Sequence, residues 1–127
     1  MVARIEGHVD FSTFSPLVKV KLISSSDEEI EFSTIVDTGY NGEVILPERE
    51  VQKMGLEFLG TIDSELANGQ IVEIDLFRGR INWFNKIQEV AIGASQSDDI
   101  LLGTLLLANC NLNVNFKQGS VGIEQLS

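Results

Sequence analysis

Asp37 is the carboxylate in this chain best placed to do chemistry. It follows the apolar strand end Ser33-Thr34-Ile35-Val36 and opens the turn Asp37-Thr38-Gly39-Tyr40-Asn41-Gly42. A carboxylate at a tight, glycine-bearing turn can take up a proton and return it, which is the work of a general base or acid. The same triplet also describes an ordinary turn, in which Asp37 accepts backbone N–H groups and Gly39 supplies a positive φ. Taken alone, the triplet leaves both readings open. The other chemistry-bearing residues point elsewhere. His8 has no nucleophile motif beside it and reads as a solvated strand histidine. The single cysteine, Cys110, can neither close an intramolecular disulfide nor hold zinc with a second thiol, and reads as a small buried filler. No metal or cofactor is expected.

Short segments of period-two alternation must position that turn. In Leu17-Val18-Lys19-Val20-Lys21-Leu22, Val18, Val20 and Leu22 share one face and the lysines the other. The polar run Ser24 to Glu28 turns the chain, and Glu29-Ile30-Glu31-Phe32 resumes the alternation. In Asn111-Leu112-Asn113-Val114-Asn115-Phe116 the apolar residues, Phe116 included, are expected to face inward, and a last strand runs from Val121 to Glu124. Ala67-Asn68-Gly69-Gln70 predicts a two-residue type I′ hairpin joining an arm from about Thr61 to Phe77. Pro47 to Gly55 has proline and acids at its start, Lys53 near its end and glycine just past it, and predicts two helical turns; Leu105 to Asn109 predicts another.

Composition narrows the function classes. A chain of 127 residues is one domain, 1–127, and 43% hydrophobic residues suffice for a core. Nine basic against 19 acidic residues give a net charge of −10, which repels phosphate backbones and anionic lipid, so neither nucleic acid nor membrane is expected as a partner. The charged, alternating N-terminus lacks a leader pattern and the greasy stretch from Ile100 to Ala108 is short, so a cytoplasmic location is the expectation.

Leu101-Leu102-Gly103, preceded by Asp98-Asp99-Ile100 and followed by Leu105-Leu106-Leu107, lies downstream of the triplet, with the Asn-Gly hairpin between them. In that order of elements, from about Leu17 to Glu124, the sequence resembles the retropepsin-like aspartic proteases. The resemblance is strongest to the small free-standing prokaryotic members whose catalytic triplet is followed by an aromatic residue. It implies a mostly-β acid-protease half-barrel with an Asn-Gly flap hairpin and one or two short helices. It also implies an aspartic endopeptidase acting on a peptide or protein substrate. Such enzymes need two facing aspartates and this chain has one triplet, so the resemblance implies a homodimer in which each subunit contributes Asp37. Two carboxylates in contact do not both ionise readily, so one keeps a proton while the other activates water.

The resemblance assigns roles residue by residue. Thr38 interlocks with its symmetry mate, or is satisfied inside its own turn. Gly39 lets the loop backbone approach the carboxylates. Gly103 packs against the catalytic loop where a Cβ would not fit. Asn68 and Gly69 form the tip of the flap. Tyr40 stands where retroviral enzymes often carry alanine, and either lines a substrate pocket or packs under the loop. Asn41 and Glu43 bond substrate backbone or face solvent. Thr104 replaces the arginine common in retroviral enzymes, so the ion pair beneath the loop is not expected. Arg78, Gly79, Arg80 and Trp83 brace the flap base or a subunit contact. The alternative function is a catalytically inactive dimerisation or peptide-binding module, which Tyr40 and the high charge favour. The resemblance leaves open whether the terminal segments interleave between subunits.

Overall fold

The computed structural model describes residues 3–66 and 68–126. Among these, ten strands and one helix follow one another: β1 (Arg4–Asp10), β2 (Ser15–Ile23), β3 (Glu29–Val36), β4 (Val44–Pro47), α1 (Glu48–Met54), β5 (Glu57–Glu65), β6 (Ile71–Trp83), β7 (Lys86–Ser95), β8 (Leu101–Leu102), β9 (Cys110–Asn115) and β10 (Ser120–Gln125). They form a single sheet in the order β5-β6-β7-β4-β8-β3-β2-β1-β10-β9, and β6 also pairs with β2. That last pairing, Lys21↔Asn82 to Ile23↔Arg80, closes a circuit through β2, β3, β8, β4, β7 and β6. The circuit closes within the chain.

Alternation explains the core. Val18, Val20 and Leu22 on β2 are buried while Lys19 and Lys21 are exposed. Phe32, Thr34 and Val36 on β3 point the same way, and Val44, Leu46, Ile81, Ile92, Leu102 and Ile123 complete an apolar centre. Strand β4 is buried along its whole length because it has β8 and β7 at its two edges and α1 nearby. Helix α1 forms as the sequence predicts: Pro47 caps it, Glu48 and Glu50 lie in its first turn, Lys53 in its last, and Gly55 closes it at φ 65° with its N–H donated to Gln52 O. Its buried residues are Val51 and Met54.

Three expectations are corrected. Leu105 to Asn109 is not a helix but a run of turns, in which Leu107, Ala108 and Cys110 donate to Thr104, Leu105 and Leu107. Asn109 at φ 61° prevents these bonds from continuing as a helix. Phe116 does not face inward. Strand β9 ends at Asn115, whose Oδ1 accepts the N–H groups of Lys117 and Gln118 and turns the chain, leaving Phe116 exposed. The hairpin arm is longer than expected, because β5 starts at Glu57 and β6 runs on to Trp83.

Within the described residues the terminal strands pair with each other in the same chain. β1 lies between β2 and β10, and β10 between β1 and β9. The sheet therefore ends at β5 on one side and at β9 on the other.

Candidate active site

The Asp37 turn is the loop between β3 and β4, and the two-residue strand β8 lies between those two strands, parallel to β3 and antiparallel to β4. A strand inserted between two consecutive strands fastens the loop that joins them. Asp37 N–H donates to Leu102 O at 2.9 Å, and Gly103 N–H to Glu43 O at 2.8 Å. Thr104 N–H donates to Tyr40 O at 2.8 Å, its hydroxyl to the same oxygen at 3.3 Å, and Leu105 N–H to Gly42 O at 3.2 Å. Each residue from Leu102 to Leu105 thus contributes a main-chain bond to the loop.

The carboxylate is held from its own turn. Gly39 N–H donates to Asp37 Oδ1 at 2.9 Å, and Tyr40 N–H to Asp37 O at 3.2 Å. Asp37 is half-buried, Thr38, Gly39 and Asn41 are exposed, and Tyr40 is half-buried. Gly39 does not use the left-handed region that the ordinary-turn reading gave it: among the described residues the glycines with positive φ are Gly55, Gly60, Gly69 and Gly119. The Tyr40-to-Asp37 bond closes an ordinary turn that needs no positive φ there.

Gly103 makes the closest approach to the Asp37 loop. A Cβ there would overlap Gly42 O, lie 2.6 Å from Tyr40 Cδ2 and 2.8 Å from the Gly42 carbonyl carbon. The Tyr40 ring packs across Gly42 and Gly103, so it lies against the loop. Burial, and secondarily the Glu43 carboxylate, raise the Tyr40 phenol above its ordinary value. Glu43 is half-buried, and its Oε1 accepts Ala91 N–H at 2.9 Å, tying the loop to β7. Thr104 and Glu43 are the supports that sequence reasoning missed, since each holds backbone from a distant segment and leaves no local pattern.

Asn68 and Gly69 are not brought against the Asp37 loop. They stand at the tip of the β5–β6 hairpin, where a Cβ on Gly69 would meet nothing within 4 Å. The tip is not the expected two-residue type I′ turn. Leu66 N–H donates to Gln70 O at 2.8 Å and Gly69 N–H to Leu66 O at 2.9 Å, so the closing pair is Leu66 and Gln70, with three residues between. Gly69 has φ 83°, and Asn68 Oδ1 accepts Gln70 N–H; Ala67 lies outside the described residues.

The inner face of the hairpin rests on the barrel, with Ile74 and Leu76 meeting Ile45 over Gly93. Beside it lies a cleft of about 590 Å³ lined by Leu66, Val72 and Ile74 of the hairpin, Ala94 and Ser97 near the end of β7, and Glu48. At the hairpin base, Arg78 on β6 pairs with Glu57 on β5 and Glu89 on β7, so this arginine braces the arm. Arg80 instead bonds Ser24 O and Asp27, and Trp83 is buried in the core. His8 is exposed on β1, and Cys110 is half-buried. Among the described residues no cluster of side chains could hold a metal ion, and no helix is long and apolar enough to cross a membrane.

No protein-family model matches the chain, and no curated protein matches it. Among solved structures, the solution structure of the simian foamy virus (mac) protease is similar to it, with 16% identity over 71% of this chain and 91% of that one and a TM-score of 0.49.

Proposed function

We propose that the protein is an aspartic endopeptidase of retropepsin-like fold, working as a homodimer in which two Asp37 carboxylates face each other across the symmetry axis. One carboxylate takes a proton from a water molecule, which attacks the scissile carbonyl carbon. The other gives its proton to the carbonyl oxygen, and a tetrahedral intermediate forms without any covalent bond to the enzyme. Thr38 ties the two loops together, Gly39 and Gly103 let the loop lie close, Tyr40 braces it from within, Asn41 flanks the substrate, and the Asn68-Gly69 tip closes over it.

The observation that supports this reading is the fastening of the Asp37 loop. Main-chain bonds from Leu102, Gly103, Thr104 and Leu105, together with Glu43 on Ala91, hold the loop. One carboxylate oxygen is oriented by Gly39 N–H. A loop so constrained keeps an acid in one geometry, as catalysis requires.

Asp37→Asn should abolish cleavage of a peptide library while the dimer persists in sedimentation. A hydroxyl-bearing statine-type peptide should inhibit the unaltered protein, because it takes the place of the attacked carbonyl and its water. Cleavage that survives in the Asn variant refutes the assignment. Stoichiometric peptide binding with no product, from acid to neutral pH, replaces it with a non-catalytic peptide-binding module.

A further inference from the structure

Strand β2 changes partners along one of its edges. On that edge Ser15 to Leu17 pair with β1, and Lys21 to Ile23 pair with β6. The hydrogen-bond phase of β2 follows from β3. Ile35 N–H donates to Ile100 O and Asp37 N–H to Leu102 O, so odd-numbered positions there bond towards β8. Thr34, Phe32 and Ile30 therefore bond towards β2, where they face Val18, Val20 and Leu22. Leu17, Lys19 and Lys21 turn their N–H and C=O groups to the other edge. Leu17 meets His8 there and Lys21 meets Asn82, while Lys19 meets no strand.

β1 does not fill the gap, because it follows β10 from Arg4 to His8 and crosses β2 at Gly7. A Cβ on Gly7 would overlap Leu17 O and lie 2.7 Å from Val18 Cγ1. β6 turns away at Phe84 and Asn85, which make the two-residue turn between Trp83 and Lys86 at φ 53° and 63°. A bulky ring at positive φ is costly, and here packing of Phe84 edge-on to Trp83, with centroids 5.1 Å apart, fixes it.

The diverging strands leave a cleft of about 300 Å³, whose walls include Arg4, Lys19, Lys21, Glu31, Asn82 and Phe84. Three cations against one acid reverse the balance of a chain with nine basic and 19 acidic residues. Arg4 is paired with Glu6 and Glu124, and Lys21 with Glu29, at exposed positions where such pairs are weak. Lys19 is exposed and joins no ion pair among the described residues.

A gap one residue wide does not admit a strand passing through it, but it admits the end of one. The last residue of a peptide has an N–H to donate to Lys19 C=O and a carboxylate to accept Lys19 N–H, the two bonds of a paired position in an antiparallel ladder. The negative charge then lies among the ammonium groups. A simple carboxylate such as acetate would use the N–H and the cations but leave Lys19 C=O unmatched.

We propose that this cleft binds the free C-terminal end of a peptide, whose last residue pairs with Lys19 and whose carboxylate is held by the lysines. The cleft lies on the part of β2 away from the Asp37 loop, since Leu17 faces Ile35 and Lys21 faces Glu31. It does not rest on the cleavage proposed above.

Titration of the nitrogen-15-labelled protein with acetyl-Ala-Leu, bearing a free carboxylate, tests it. The Lys19 amide signal should move saturably. The C-terminal amide of the same dipeptide, its N-methyl-leucine form and acetate should each bind at least about tenfold more weakly, because each lacks one of the contacts. Lys19→Gln keeps the main chain and should weaken binding about tenfold. Lys53→Gln on α1 makes the same change in net charge and should leave the affinity unaltered. Equal binding of the amide, the N-methyl form or acetate overturns the proposal. So does an unchanged affinity in Lys19→Gln, an absence of saturable binding, or a shift confined to the Asp37 loop. Saturable binding at Lys19 by a protein that cleaves no peptide upholds the cleft and removes only the peptidase.

Discussion

Gly103→Ala is the sharpest probe of how the Asp37 loop is held. The added methyl would overlap Gly42 O and lie 2.6 Å from Tyr40 Cδ2, where carbon atoms normally rest about 3.5 Å or more apart. One obstacle is backbone and the other is a ring packed across Gly42, so relief requires a loop shift of about 1 Å or more rather than a rotamer change. Overpacking of this kind costs about 1–3 kcal/mol, and the backbone obstacle places it near the upper end. With an unfolding entropy of about 2.1 cal/mol/K per residue, a chain of 127 residues loses about 11 °C in Tm for about 3 kcal/mol. Gly39→Ala is the control. It lies in the same loop without a positive φ, and its Cβ would meet only Asp37 Oδ1, at 3.2 Å. It should move Tm by no more than about 3 °C. The assay is differential scanning calorimetry of both variants at one protein concentration, since dimerisation makes Tm concentration-dependent. If Gly103→Ala melts with the unaltered protein, or if the control is the more damaging, the account of the loop is wrong.

Tyr40 is the single tyrosine, so tyrosinate absorbance reports it alone. Its native midpoint should lie above 10.0 and return to the ordinary value in denaturant. Because the folded phenol holds its proton more tightly than the unfolded one, Tyr40's contribution to stability is fully present below pH 10 and is lost as pH rises above it. Glu43→Gln should lower that midpoint only partly, since burial is the larger cause; no difference between native and denatured titrations would refute the packing of the ring. Glu43→Ala leaves the part-buried Ala91 N–H without its partner and should cost about 1–2 kcal/mol, read as a Tm loss of about 4–7 °C and faster amide exchange at Ala91. Arg78→Met removes exposed ion pairs and should cost no more than about 1 kcal/mol, with faster exchange at the hairpin base and an effect that shrinks in high salt. A larger, salt-insensitive loss would mean the arginine does more than brace the arm.

What could be read from the sequence was local. β2, β9 and β10 follow from period-two alternation within a few residues, and α1 from proline, acids and glycine at its ends. Gly103 was found because the Leu-Leu-Gly order supplied a pattern. What escaped was set by distant partners. β8 is only two residues long and owes its existence to parallel pairing with Ile35 and Val36. The Glu43 bond reaches Ala91, and Thr104 reaches Tyr40, across spacings that no window of sequence registers. The hairpin tip was misread by one residue because Asn-Gly favours a type I′ turn, while the closing bonds formed at Leu66 and Gln70 give a three-residue loop.

The position of β10 bears on how the chain reaches this state. It is the strand latest in sequence, yet it lies inside the sheet, where Arg4 meets Glu124 and Asn115 meets Ser120. A nascent polypeptide emerging from the ribosome therefore holds β1 and β2 ready long before β10, the other neighbour of β1, exists, and cannot complete the sheet until Gln125 is free of the exit tunnel. Contacts of such wide sequence separation slow folding and prolong the exposure of unpaired strands. Truncation just after Asn115 should for the same reason give an aggregating chain rather than a smaller folded one.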